Sequence, residues 1–388
     1  MSRVRLHHIL IPLVLAALPT LLLLASHSGE HGFLSLIRFG NDFEPGSLQE
    51  VRALDPPRVT AEGYDGQFYA QMALNPTLTR EDLGAAIDNP GYRSVRIGLP
   101  LLASWLGFGN AEAVLQVYAV LNYLFWMLLL VGFYAFQRPE TGKDFLLLFA
   151  VLWSSGTLLS VSFTLTDLPA AVLCMYALWL RRHPLAASSI LGYAALVKET
   201  SLLGAFSLMS REAFRETPLW KILSAAGIAV LPVLLWYLYV KHRFPTEGIS
   251  GAFAFTWPFA GIVRQFGTIP GNLRSGSGIG ILKAGMELTA LTSLSAQALY
   301  LLAKPRYEFA PWRLGIGFAL LFLCFSPFVL VSWYSYCRSV LLMTFAFNLV
   351  IHRFETGSRF YLWFTLGNVG LAWGIGRVLY DSFWHRAL

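Results

Sequence analysis

Charge is what this sequence has least of. Only 13% of its 388 residues are Asp, Glu, Lys or Arg, against about 25% in an ordinary soluble domain, and 56% are hydrophobic. That shortage excludes a soluble globular fold. Cysteine is scarce as well. Cys174, Cys324 and Cys337 are an odd number set in or beside apolar segments, which gives no disulfide framework and no paired-cysteine metal pattern. The chain has no Walker loop, no GxGxxG followed by an acid, no HExxH and no Ser/His pairing in a recognisable context. No basic loop is long enough to hold a nucleotide-binding domain. The net charge of +7 is no nucleic-acid footprint, because its basic residues sit in short clusters between apolar runs. Cytoplasmic loops facing anionic lipid have that pattern.

What remains is an all-α polytopic membrane protein without internal repeats, a single membrane domain over residues 1–388. Several windows approach 20 apolar residues, about the length needed to cross hydrocarbon. Spans placed by apolar length and oriented by Lys and Arg in the short loops give about eleven transmembrane helices, among them 112–136, 144–163, 222–240 and a last one over 360–380. The basic start MSRVRLHH precedes ILIPLVLAALPTLLLLAS, read as a retained first span over 8–26 with the N-terminus cytoplasmic. Residues 27–96 then form a long first extracytoplasmic loop holding ten of the 22 acids. Residues 241–277 form a second. RIGLPLLASWLG (96–107) is apolar but too short to span, and is expected as a short helix at the outer interface. The segment 184–208 reads two ways. One span would put Arg211, Arg215 and Lys221 outside, whereas two short helices meeting near Lys198 and Glu199 keep them inside, and charge bias favours the second.

Asp65, in GYDGQFYAQMALNP, is the first candidate for chemistry. A carboxylate there could take a proton from an acceptor hydroxyl as a general base. It could equally cap the helix that follows, where Phe68 and Met72, and Tyr69 and Ala73, recur at helical spacing. Arg93 and Arg96 stand three apart and could grip a phosphate together, or snorkel to head groups at the interface. Lys198 and Glu199 interrupt LGYAALVKETSLLGAF, where ionisable groups are costly. Lys198 suits a phosphate, while Glu199 suits a bracing role to an arginine or a sugar hydroxyl. Asp167 opens a span before Leu-Pro, a good capping position that also faces the outer side. Arg338, in WYSYCRSVLLM, is a lone cation entering a span from outside, against the positive-inside bias. GISGAFAFTWPFAGIVRQF in the second loop could line a lipid or sugar site, or form an aromatic belt.

These residues resemble the GT-C superfamily of integral-membrane glycosyltransferases. The likeness rests on a first span, a loop with Gly63-Tyr64-Asp65-Gly66-Gln67-Phe68-Tyr69, and the run Asp88-Asn89-Pro90-Gly91-Tyr92-Arg93-Ser94-Val95-Arg96-Ile97-Gly98-Leu99-Pro100-Leu101-Leu102. Lys198-Glu199-Thr200-Ser201 is similar to a mid-chain motif of the same proteins. Within the superfamily the chain looks most like bacterial proteins linked to cell-surface glycopolymers and, more distantly, PIG-V-type mannosyltransferases. The resemblance implies a polyprenyl-phosphate-linked sugar as donor, and inverting transfer to a glycan or lipid acceptor at the outer face of a bacterial inner membrane. Asp65 matches the catalytic base. Arg93, Arg96, Lys198 and Arg338 become the donor-phosphate residues, and Tyr64, Gln67, Tyr69, Tyr92, Asp167 and Glu199 the substrate-binding ones. Many members carry a second loop acid. Here Glu62 lies three residues before Asp65, so no cofactor is certain and a divalent metal is left open. Membrane lipids are the other expected partners, with no nucleic acid. A transporter or flippase, and a non-catalytic scaffold for surface-glycopolymer assembly, are the alternatives. A transporter built of repeated halves would show a symmetry that this chain lacks.

Overall fold

The computed structural model describes residues 7–209, 215, 217–245, 251–274 and 278–376. Among the described residues helices dominate, and the one sheet is a parallel pair of two-residue strands, Phe39–Gly40 with Arg58–Val59. Among the same residues two helices are long and apolar enough to cross a membrane, Ala111–Phe136 and Leu219–Arg243. The first begins where Asn110 accepts the Ala113 amide, and at 26 residues extends roughly 39 Å. Most of its apolar stretch is buried, whereas Leu219–Arg243 is exposed on nearly every side. Val230, Leu231, Leu234, Leu235 and Leu238 project outward from it. A helix that is apolar all round needs hydrocarbon as its solvent. This is a helical membrane protein.

Counting each bent pair as one span raises the number to four, against the eleven crossings read from hydropathy. The difference has local causes. The segment read as 144–163 is two helices, Gly142–Leu152 and Ser155–Ser162, bent by 41° where Ser154 opens the second by accepting the Thr157 amide. Trp333–Ser339 and Leu341–Phe354 meet at 60°. Ala310–Leu323 stops short because the carbonyls of Leu323 and Cys324 accept amides from Phe259 and Thr256 of another segment. Asp167–Trp179 has 13 residues and Pro184–Val197 has 14, too few to cross alone. Gly278–Ala303 is long but interrupted by Lys283 and Glu287. The last expected span, 360–380, is represented by Gly357–Asn368, and its end lies outside the described residues.

The ambiguous 184–208 segment turns back on itself. Its helix ends at Val197, Lys198 is extended, and a 3-10 helix runs from Glu199 to Ser207. A Cβ placed on Gly204 would lie 3.0 Å from Leu191 Cδ1, so the two arms lie side by side. That is the two-helix arrangement the charge bias favoured.

The expected first loop packs as part of the bundle. Trp236 donates to the Ser94 carbonyl (2.8 Å) and Arg243 Nε to that of Leu78 (2.6 Å), tying it to the end of Leu219–Arg243. Polar side chains tie helices together: Gln297 donates to the Gly367 carbonyl (2.6 Å), and Asn348 and Asn368 exchange amide bonds. Gly66 and Gly98 mark close backbone approaches. A Cβ at Gly66 would meet the Phe163 carbonyl at 2.4 Å, and one at Gly98 the Val197 amide nitrogen at 2.7 Å. Gly66→Ala should therefore cost about 1–3 kcal/mol through overpacking. Thermal unfolding in detergent will show it as a lowered midpoint, whereas Gly84→Ala, at a glycine with open space around it, will leave the midpoint nearly unchanged.

Candidate functional site

Asp65 sits on a turn that its neighbours hold rigid. Gly63 adopts φ +70, a conformation that favours glycine. The Tyr64 amide donates to the Arg38 carbonyl at 3.0 Å. Gln67, only 1% exposed, accepts from the Gly40 amide (2.9 Å) and donates to the Glu62 carbonyl (2.6 Å). Both ends of its side-chain amide thus brace the turn, which gives Gln67 a structural job here. The helix Gly66–Leu74 follows, yet the Asp65 side chain makes no capping bond to it. Asp167 makes none to Asp167–Trp179 either. Capping, the plainer role for both acids, is replaced by ion pairing.

That pairing is continuous. Asp65 Oδ1 receives Arg93 Nη2 at 3.0 Å and Oδ2 receives Arg338 Nη2 at 2.9 Å. Arg338 turns its other terminal nitrogen to Asp167 Oδ2 (3.1 Å), and Asp167 Oδ1 is bonded to Lys198. At the opposite end Asp88 clasps Arg93 with both oxygens, at 2.9 and 2.8 Å. Charges therefore alternate without a gap from Asp88 to Lys198. Beside this chain, Arg96 forks onto Glu199 at 2.9 and 2.7 Å. Its remaining bonds go to the hydroxyls of Tyr69 (3.0 Å) and Tyr92 (2.8 Å). The break at Lys198 places adjacent residues on different partners, Lys198 on Asp167 and Glu199 on Arg96. An unbroken helix would put such neighbours about 100° apart.

Solvent exposure grades along the chain. The Asp167 side chain is 1% exposed, Asp65 20% and Asp88 32%. Tyr64 stacks on Phe163 at 4.2 Å, and the Arg338 guanidinium lies 5.6 Å from the Tyr64 ring centre. Arg338 Nε has no hydrogen-bond partner among the described residues. The same arginine lines a small cavity with Asp167, Lys198, Thr200, Ser201 and Ser339. Gly156 lets the Arg338 segment approach, since a Cβ there would lie 2.5 Å from the Cys337 carbonyl.

The eight ionic side chains, four acids and four bases, balance to zero. Burial pushes the Asp65 carboxyl up, but the Arg93 and Arg338 guanidinium groups outweigh it and hold it well below the usual carboxylate range. Among the described residues no three His, Cys, Asp or Glu side chains converge as metal ligands. The oxygens of Asp65 already face two cations, so the resting arrangement does not fit a divalent ion there.

All eleven residues expected at the site lie in or beside this cluster. Asp88 is a member that sequence reasoning assigned no role. The available signal was an acid five residues before Arg93, across the Asn89-Pro90 helix start, where Asn89 accepts the Tyr92 amide.

Two outcomes follow from this geometry. Arg338→Gln leaves two buried carboxylates short of a counter-ion and should destabilise the protein by about 3–5 kcal/mol. Adding Asp167→Asn should recover part of that loss, as thermal unfolding of the single and double variants will show. Asp65 has a depressed folded pKa, so its charge contributes fully above the ordinary carboxylate pKa of about 4 and is lost as pH falls well below it. The midpoint difference between the protein and Asp65→Asn should be flat from about pH 8 to about pH 5 and shrink toward about pH 3. No family model, curated protein or solved structure matches the chain.

Proposed function

We propose that this protein is a GT-C-type integral-membrane glycosyltransferase. It moves a sugar from a polyprenyl-phosphate donor to a cell-envelope glycan or lipid acceptor, with Asp65 as general base. About eleven crossings, a cytoplasmic N-terminus and an extracytoplasmic site in a bacterial inner membrane belong to the same proposal. That count takes each bent pair as one crossing and lets the short apolar helices be completed by the breaks beside them. One observation carries the reading: the acid that the resemblance points to lies between Arg93 and Arg338, the latter 273 residues away in sequence.

The chemistry balances with these groups. The acceptor hydroxyl oxygen attacks the anomeric carbon while the bond from that carbon to the phosphate oxygen breaks. Its electron pair leaves with the lipid phosphate, and the hydroxyl proton passes to Asp65. Arginines at the departing phosphate neutralise the charge it gains, an electrostatic effect of about 3 kcal/mol per well-placed donor.

Asp65 begins as a poor base, because both its oxygens accept from guanidinium groups. A donor phosphate competes for those same arginines. As Arg93 and Arg338 turn toward it, the carboxylate loses its counter-charges and becomes more basic. Basicity then rises only when a donor is present, which protects the site from idle proton transfer.

Membranes carrying the protein, incubated with labelled polyprenyl-phosphate sugars, test the proposal. The unaltered chain should transfer label to an acceptor, and Asp65→Asn should be slower by about 10²–10⁴-fold. Equal transfer by both proteins, or none by the unaltered one, would overturn the reading in favour of a scaffold or flippase.

A further inference from the structure

The rings of Phe253, Phe255, Trp257, Phe259 and Phe328 are exposed, Trp257 by 84% and Phe328 by 67%. They are also held in place. The segment carrying the first four crosses residues 323–326 and bonds to them by backbone. Thr256 donates to the Cys324 carbonyl (2.8 Å), Phe259 to that of Leu323 (2.7 Å), and Ser326 to that of Ala254 (2.8 Å). The Ser326 hydroxyl adds a bond to the Phe253 carbonyl at 2.8 Å. Gly261 makes the crossing possible, since a Cβ there would sit 2.0 Å from the Phe325 carbonyl. A segment so firmly tied, with its largest apolar groups turned outward, presents a surface.

This surface differs from the exposed faces of the two long spans. Leu219–Arg243 and Ala111–Phe136 expose mainly leucine and valine on long spans. The strap is aromatic and belongs to no span, and it leads to the ionic cluster. Phe328 meets Phe253 edge-on at 5.0 Å, and Phe253 lies 5.7 Å from Tyr92. The Tyr92 hydroxyl is bonded to Arg96, and the Arg93 guanidinium is 5.8 Å from the Tyr92 ring centre. An apolar track that ends on arginines complements an amphiphile with a long tail and an anionic head.

We infer that this strap receives the isoprenoid tail of a lipid phosphate and that Tyr92 marks where tail gives way to head group. The inference rests on the transferase reading, which supplies a single-chain phosphate as occupant. Tail contacts on the strap would fix the direction from which the head approaches Arg93 and Arg338. The lipid need not leave the bilayer edge.

The full chain in nanodiscs, exposed to a polyprenyl monophosphate with a photoreactive group in its tail, provides the test. Adducts should map to residues 251–259 and 324–331, and unlabelled polyprenyl phosphate should compete them away while diacyl phosphatidic acid does not. Phe253→Ala with Phe328→Ala should lower labelling at least fivefold, with a phosphate of two isoprene units bound as before. Adducts confined to Leu219–Arg243 and Ala111–Phe136, or equal competition by phosphatidic acid, would overturn the inference. Labelling needs no turnover. An inactive protein that labels the strap sinks only the transferase reading, and an active one that labels elsewhere sinks only the tail track.

Discussion

Arg338 holding Asp65 and Asp167 together is the contact on which the architecture turns. It joins a turn near the start of the chain, a helix from its middle and a bent helix near its end. Each carboxylate alone would be costly in so apolar a setting, and the guanidinium is as costly without them. Interlocked, they make each other tolerable. Such an arrangement is all or nothing, since removing one charge leaves the next exposed to hydrocarbon-like surroundings.

The interruptions in the helices belong to the same logic. The chain breaks at Lys198, bends between Ser339 and Leu341, and starts a helix at Asp167. At these points the backbone leaves regular helix beside the ionic cluster, and its amides are satisfied by nearby carbonyls, Lys198 by that of Ala194 and Val340 by that of Tyr336.

Much of this was legible in the residues, and the rest was hidden for definable reasons. Apolar length found Ala111–Phe136 to within one residue and the centre of Leu219–Arg243, read as 222–240, because composition is a local property. At 184–208 the chain breaks at Lys198 and folds back, the arrangement that charge bias favoured over one span. Hydropathy could not see the bends at Ser154 and Ser339, since it averages over a window wider than a single break. The cationic candidates were found because charge in an apolar setting is conspicuous. Apart from Glu199 bracing an arginine, which acid pairs with which cation was not, because an ion pair between positions 65 and 338 leaves no trace in spacing. Asp88 escaped for a related reason: it stands in a loop already rich in acids, where one more carboxylate looks ordinary. The bracing of the turn by Gln67 was hidden as well, because its partners Gly40 and Glu62 are set by the fold and not by spacing.

The zero sum of the cluster has a last consequence. Opposed charges a few ångströms apart cancel within a Debye length, about 8 Å in physiological salt, so the centre projects almost no field into the surrounding water. It cannot gather anions from bulk solution as a uniformly basic cleft does. Under the proposed transferase reading, a phosphate-bearing donor would be recognised here only after it has arrived. Its arrival would then depend on two-dimensional diffusion along the membrane, which would make encounter insensitive to ionic strength and sensitive to the fluidity of the bilayer.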